Sequence, residues 1–138
     1  MDRKVPVDGH EFTIQRSQVE KKTVRHGCDL GLMPDIGPNG MPKIHKKTEK
    51  PMTKANRENF VLFTDRLEEH MKDPNTILIE GSYRKTENDP GEAFHFYNNE
   101  TLVIATFKRG GDNPFVTSWK MDNTPSQLDE FLQDKNLR

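Results

Sequence analysis

Apolar residues recur with a helical period in one long stretch of the chain. Phe60, Phe63, Leu67 and Met71 fall at i, i+3, i+7 and i+11 with Val61 beside them, while Arg57, Glu58, Asp65, Arg66 and Glu69 are polar. This spacing gathers the apolar side chains on one face of a helix. Asn56 or Thr53 can cap its start, and Asp73-Pro74-Asn75 ends it. A shorter helix is expected over Ile14 to Arg25, where the apolar positions are sparse: Ile14, Val19 and Val24. Downstream the period changes. Ile77–Arg84, Ala93–Asn98, Thr101–Lys108 and Phe115–Met121 are rich in β-branched and aromatic residues and bounded by turn formers, so each predicts a strand. Asn98-Asn99-Glu100 is a short hairpin link, and Arg109 to Pro114 a looser one. The third run contains Leu102-Val103-Ile104-Ala105, continuous and apolar as in a central strand. Thr124-Pro125-Ser126-Gln127 opens a last helix, with Leu128, Phe131 and Leu132 on one face. The fold expected is α+β: an antiparallel sheet of about four strands packed against N-terminal helices, with a short C-terminal helix.

Between the two leading helices lie Gly31, Pro34, Gly37, Pro38, Gly40, Pro42 and Pro51, which read as a long loop. Its Pro/Gly/Lys-rich part spans residues 33–52. Loops of more than about 15 residues tend to be functional or disordered. Residues 1–12 show no clear period, and residues 1–18 are expected to be a mobile lead-in to a single domain over 19–138. The full 138 residues suffice for one ordinary core. No apolar run reaches the roughly 18 residues of a membrane-spanning helix, and the opening Met-Asp-Arg-Lys-Val-Pro has no signal-type hydrophobic region. A lone cysteine, Cys28, forms no internal disulfide, and no Cys/His cluster has zinc spacing. A reducing compartment, no structural metal and no cofactor are the expectation.

The formal net charge of −1 is unevenly spread. Residues 1–57 carry 12 Lys and Arg against 7 Asp and Glu, and residues 58–138 carry 9 against 15. A basic face is therefore compatible with a nearly neutral chain, though ordinary surface charge explains the pattern equally well. Five histidines are the candidate chemistry: His10, His26, His45, His70 and His95. None makes a helical His-Glu-x-x-His pair, and the Gly-x-x-x-x-Gly-Lys and Gly-x-Ser-x-Gly motifs are absent. His70, on the long helix beside Glu69, reads as a solvated or capping residue. His95, between Phe94 and Phe96, points to the sheet face opposite those phenylalanines and lines either that surface or a cleft. His45 is set among Lys43, Lys46 and Lys47, a basic loop able to grip phosphates or simply to be solvated. His26 follows Lys21, Lys22 and Arg25 and precedes a glycine-containing turn with Asp29. An imidazole with nearby cations has the parts that RNA transesterification needs, although such a cluster is common by chance.

Arg25-His26-Gly27-Cys28-Asp29-Leu30-Gly31-Leu32 resembles the Lys-His-x-x-Asp-Phe-Gly-Ile segment of the colicin D-like tRNA nuclease toxins. Val19-Glu20-Lys21-Lys22 is similar to the lysine-rich approach to that histidine. Asn56-Arg57-Glu58 and Leu67-Glu68-Glu69-His70 are similar to the family's helix. Gly81-Ser82-Tyr83-Arg84 resembles its Gly-x-Tyr-Arg strand, and Phe115-Val116-Thr117-Ser118-Trp119-Lys120 its final Phe-x-Ser-x-Trp-Lys strand. The likeness covers roughly residues 19–121, with all five motifs in the same order.

The resemblance implies a fold like that of colicin D and the microbial ribonucleases, and a metal-independent endoribonuclease. It matches His26 to the catalytic histidine, Arg25 and Lys22 to flanking cations, Thr117 to a strand hydroxyl and Trp119 to the family's tryptophan. Ser118 substitutes for Thr117 if the register shifts. His45 is the rival histidine, and His95 a third candidate. Lys21, Lys43, Lys46 and Lys47 are the expected RNA-binding residues. The resemblance further implies tRNA as substrate, a 2′,3′-cyclic phosphate product, and blocked translation in a competitor's cytoplasm. It implies delivery as part of a larger secreted or surface-borne effector, as in contact-dependent inhibition. It also implies a cognate immunity protein, acidic where it meets the chain. The insertion at 33–52 leaves the choice of tRNA open. Two other readings remain at this level: a non-catalytic RNA- or protein-binding domain of the same fold, and a metal-dependent DNase toxin.

Overall fold

The computed structural model describes residues 2–82 and 92–121. The chain runs β1 (Arg3–Val7), β2 (His10–Ile14), α1 (Arg16–His26), a 3₁₀ turn (Cys28–Leu30), α2 (Arg57–Lys72), β3 (Thr76–Ser82), β4 (Glu92–Asn98), β5 (Val103–Lys108) and β6 (Phe115–Lys120). Strands β3 to β6 form a four-stranded antiparallel meander in sequence order. The architecture is α+β, as the alternation of periods predicts. Tyr83, Arg84 and the helix expected from Thr124 lie outside the described residues.

α2 begins where its polar cap predicts: the Asn59 backbone N–H donates to Asn56 Oδ1 at 2.8 Å. Its buried face carries Phe63, Leu67 and Met71, and Phe60 packs half-buried at its start. These meet Phe94, Phe96, Val103, Ala105, Phe107 and Phe115 from one face of the meander in a single apolar cluster. β5 starts two residues later than the run of β-formers because the Asn98 side chain organises the preceding turn. Its Oδ1 accepts from the Glu100 and Thr101 backbone N–H groups at 2.9 and 3.0 Å, and Leu102 takes a φ of 64°.

The lead-in expected over residues 1–18 is instead structured. Residues 3–14 are a β-hairpin in which Val5 and Phe12 are fully buried, and α1 starts at Arg16. Asp8 and Gly9 adopt φ of 49° and 80°, the left-handed pair required by a two-residue hairpin. The Phe12 ring sits 5.0–5.2 Å from those of Phe94, Phe96 and Phe107, so the hairpin closes the main core. Arg3 fastens it to α2 through Asp65 (2.6 Å) and Glu68 (3.4 Å).

The opposite face of the meander has its own cluster of Tyr97, Ile104 and Met121, with Ile79, Leu102 and Trp119 packed against it. His95 shares that face and is completely buried, its Nδ1 2.9 Å from Thr106 Oγ1. The expectation of a surface or cleft-lining histidine is corrected by this second layer of packing.

Residues 33–52 form a loop that folds on itself. Asp35 N–H donates to Met52 O, Lys43 N–H to Asp35 O, and Met52 N–H to Lys43 O, at 2.7–2.8 Å.

Candidate active site

α1 is fixed to the edge strand by two glutamines. The Phe115 backbone N–H donates to Gln15 Oε1 at 3.0 Å, and Gln18 Nε2 donates to Val116 O at 2.6 Å. The 3₁₀ turn also packs on β6. The last residue of α1, His26, is thereby set beside the strand that carries Thr117 and Trp119.

How the helix ends decides where the neighbouring carboxylate goes. Gly27 follows His26 and approaches the returning loop so closely that a Cβ would collide with Thr53 Oγ1 and lie 2.6 Å from the Thr23 carbonyl oxygen. Gly27 O then accepts from Leu30 N–H and Leu32 N–H, both at 3.0 Å, and Gly31 takes a φ of 86°. The tight turn folds Asp29 back onto the helix end. Asp29 Oδ2 lies 3.1 Å from His26 Nδ1, with the two side chains 11% and 14% exposed. A carboxylate in this position takes the Nδ1 proton as a hydrogen bond, which leaves Nε2 as the atom able to accept and return a proton.

The basic residues fall around this pair. Lys22 stands one helical turn before His26, on the same side of α1. Arg25 is adjacent and half-buried, and Lys21 is exposed. Thr117 and Trp119 share the sheet face of Thr106 and Ile104, both half-buried, and Trp119 packs on the smaller cluster. Ser118 does not join them. It is fully buried on the face of Ala105, and its Oγ has no hydrogen-bond partner.

His45 is held differently from His26. Its Nδ1 accepts from the Lys47 and Thr48 backbone N–H groups at 3.1 and 3.4 Å, so the ring caps its own turn. No carboxylate accompanies it among the described residues. Lys43 is 3.5 Å from Asp35, and Lys46 and Lys47 are exposed.

His70 is not the solvated residue its surroundings in the sequence suggest. It is 8% exposed, and its Nε2–H donates to Phe96 O at 2.8 Å. Desolvation pulls its pKa below the ordinary histidine range, opposed by the bond to Phe96 and by the charge of Asp73. It lines a cleft of about 730 Å³ that Asp29 also lines. Nothing in the local sequence reveals this, because the Phe96 carbonyl is 26 positions away. Among the described residues no group of three His, Cys, Asp or Glu side chains is arranged to hold a metal ion. No described helix is long and apolar enough to cross a membrane.

No protein-family profile matches the chain. It is 29% identical to Colicin-D of Escherichia coli over 117 residues, which are 85% of this chain and 13% of that protein. Among solved structures, a ribonuclease from Escherichia coli complexed with its inhibitor protein has a similar fold, with a TM-score of 0.52 and 21% sequence identity. That likeness covers 88% of this chain and 100% of the ribonuclease chain. The chain thus spans the whole of that ribonuclease chain but only about one eighth of the length of Colicin-D.

Proposed function

We propose that the chain is a toxin endoribonuclease that cuts tRNA by metal-independent transesterification. The observation that carries this reading is the His26–Asp29 pair, held at the end of α1 beside Lys22 and Arg25 and against β6. The likeness to Colicin-D and to a ribonuclease fold supports it.

In this mechanism His26 Nε2 takes the proton of an RNA 2′-OH. The 2′-oxygen bonds to the adjacent phosphorus, and the bond from phosphorus to the 5′-oxygen breaks. The same imidazole returns the proton to the leaving oxygen. The products are a 2′,3′-cyclic phosphate and a 5′-hydroxyl. Asp29 holds the ring in the required tautomer and balances its charge while it carries the proton. Lys22 and Arg25 stabilise the pentacoordinate phosphorus, and the Thr117 hydroxyl donates to a phosphate oxygen. Trp119, anchored in the smaller cluster, supports the strand beneath the substrate. Lys21, Lys43, Lys46 and Lys47 attract the RNA backbone.

The chain acts in the cytoplasm of a target cell after delivery within a larger secreted or surface-borne effector, and an inhibitor protein with acidic groups covers the basic site.

Incubation of total tRNA with the protein in EDTA tests the chemistry. Discrete fragments ending in 2′,3′-cyclic phosphate, lost in His26→Ala, are expected. Intact tRNA that still binds identifies a non-catalytic binding domain instead, and nicking of DNA that EDTA abolishes identifies a metal-dependent DNase.

A further inference from the structure

The cleft shared by Asp29 and His70 is assigned no role by the mechanism. It is bounded by the 3₁₀ turn, the 33–52 loop, the end of α2, the β4–β5 turn and the end of β6. Its volume of about 730 Å³ lies within the range of ligand sites, roughly 300–1,000 Å³.

Its polar groups are sorted by position. Asp29, Lys50 and Lys120 come from the elements gathered at the His26 end: the 3₁₀ turn, the loop that leaves and rejoins it, and the strand it packs on. His70, Asp73 and Glu100 come from the α2 end and the β4–β5 turn, together with Glu69 and Arg66, whose side chains pair with each other at 3.5 Å. Leu30, Leu102, Val103 and Met121 supply apolar surface between them.

With Arg66 paired to Glu69, the groups left at the α2 end are acceptors. His70 spends its Nε2–H on Phe96 O, so its Nδ1 carries a lone pair, and that atom has no hydrogen-bond partner among the described residues. The depressed pKa keeps the ring neutral and the lone pair available. Asp73 uses Oδ1 to accept from the Asn75 backbone N–H, leaving its other oxygen. Asn98 offers the cleft little: its Nδ2 donates to Thr76 Oγ1 and its Oδ1 accepts two backbone N–H groups.

Lys50 and Lys120 at one end, where the Asp29 carboxylate is engaged by His26, acceptors beside the Arg66–Glu69 pair at the other, and apolar walls between match the parts of a nucleotide. We propose that this cleft is a subsite for the nucleotide next to the bond cut at His26. Its phosphate lies at Lys50 and Lys120, and its base reaches His70 Nδ1 and Asp73 with an exocyclic amino group. Adenine, cytosine and guanine carry such a group, whereas uracil presents carbonyl oxygens to those acceptors and is disfavoured. This inference rests on the ribonuclease reading for the position of the scissile phosphate.

Titration of the intact protein with AMP, CMP, GMP, UMP and inorganic phosphate, followed by amide and imidazole NMR shifts, tests it. The amino-bearing nucleotides are expected to shift Leu102, Val103, Met121 and the His70 ring, and at least one to bind several-fold tighter than UMP. Lys120→Glu is expected to weaken binding by about 10-fold through loss of a charge-assisted contact. Thr101→Trp, at an exposed position on the cleft mouth, blocks entry without touching the core, and an unchanged thermal midpoint verifies the fold.

Two outcomes overturn the subsite. One is shifts no different from those of inorganic phosphate. The other is wild-type kcat/KM on tRNA, with the same fragments, in both Lys120→Glu and Thr101→Trp. If the nucleotides fill the cleft but His26-dependent cleavage is absent, the binding site stands and the ribonuclease reading fails. If tRNA is cut through His26 while the cleft stays empty, the reverse holds.

Discussion

His26 and His70 both stand in the last turn of a helix, His26 as its final residue and His70 two before the end, and each is followed by an aspartate three residues on. His26-Gly27-Cys28-Asp29 closes α1, and His70-Met71-Lys72-Asp73 closes α2. In the first, Gly27 lets the chain tuck under Thr53 into a 3₁₀ turn, and the carboxylate returns to the imidazole. In the second, buried Met71 holds the last turn against the core, Pro74 forbids continuation, and Asp73 takes an extended backbone at the C-cap. Its carboxylate caps Asn75, and the imidazole turns to a backbone carbonyl of the sheet. The same spacing therefore sets one ring against a carboxylate and buries the other against a backbone carbonyl, where desolvation lowers its pKa. Gly27 permits the close approach to Thr53, and the contacts that part the two histidines come from distant segments.

The largest expected effect separates the two histidines, with His45 as the rival. His26→Ala should lower tRNA cleavage by about 10²–10⁴-fold, the usual contribution of a general acid–base, in a folded protein. His45→Ala should leave the rate within about twofold, since that ring has no carboxylate to balance a proton. If the effects are reversed, the assignment of the catalytic histidine is wrong.

Next come the residues that shape each turn. Met71→Ala should cost about 2–5 kcal/mol in urea unfolding as a buried side chain is lost. Gly27→Ala should cost about 1–3 kcal/mol by overpacking against Thr53 and the Thr23 carbonyl. A silent Gly27→Ala would remove the close approach from the explanation. Asp29→Asn should reduce cleavage by about 10-fold or more with little loss of stability, because an amide cannot balance the imidazolium. The pH profile of cleavage and the urea midpoint together distinguish this from a folding defect.

The smallest effect concerns His70 and pH. Its folded pKa lies below the unfolded value of about 6.5, so the unfolded chain takes up the proton first. The stability it contributes is complete above about pH 6.5 and declines as the pH falls through the lowered folded pKa. His70→Gln, which keeps a donor for Phe96 O, should flatten that acid decline in urea midpoints measured at successive pH values.

The elements that depend on a long pattern could be read from the chain. α2 shows its apolar face over three turns and its cap at Asn56, and the four meander strands each carry enough β-formers to stand out. The β1–β2 hairpin escapes because its strands have five residues each, too few for Val5, Phe12 and Ile14 to show a period. Asp8-Gly9 is the one signal that would have found it. The motif at His26 is legible, and Asp29 stands in it, but spacing alone gives Asp73 the same relation to His70. What distinguishes them is long-range: Thr53 above Gly27 and the Phe96 carbonyl beside His70. The burial of Ser118 and His95 is hidden from the sequence for a related reason. Register shows which residues share a face, but not how deeply each face is covered.

The loop at 33–52 leaves and returns at one spot. Leu32 N–H bonds to Gly27 O, and Thr53 N–H bonds to Val24 O, both at 3.0 Å. Such a closed insertion behaves as an exchangeable cassette. Doubling its length adds only about 0.6 kcal/mol of closure entropy, so its sequence can diversify while the helix end beneath it stays fixed. The segment can therefore change in length and sequence without reworking the core.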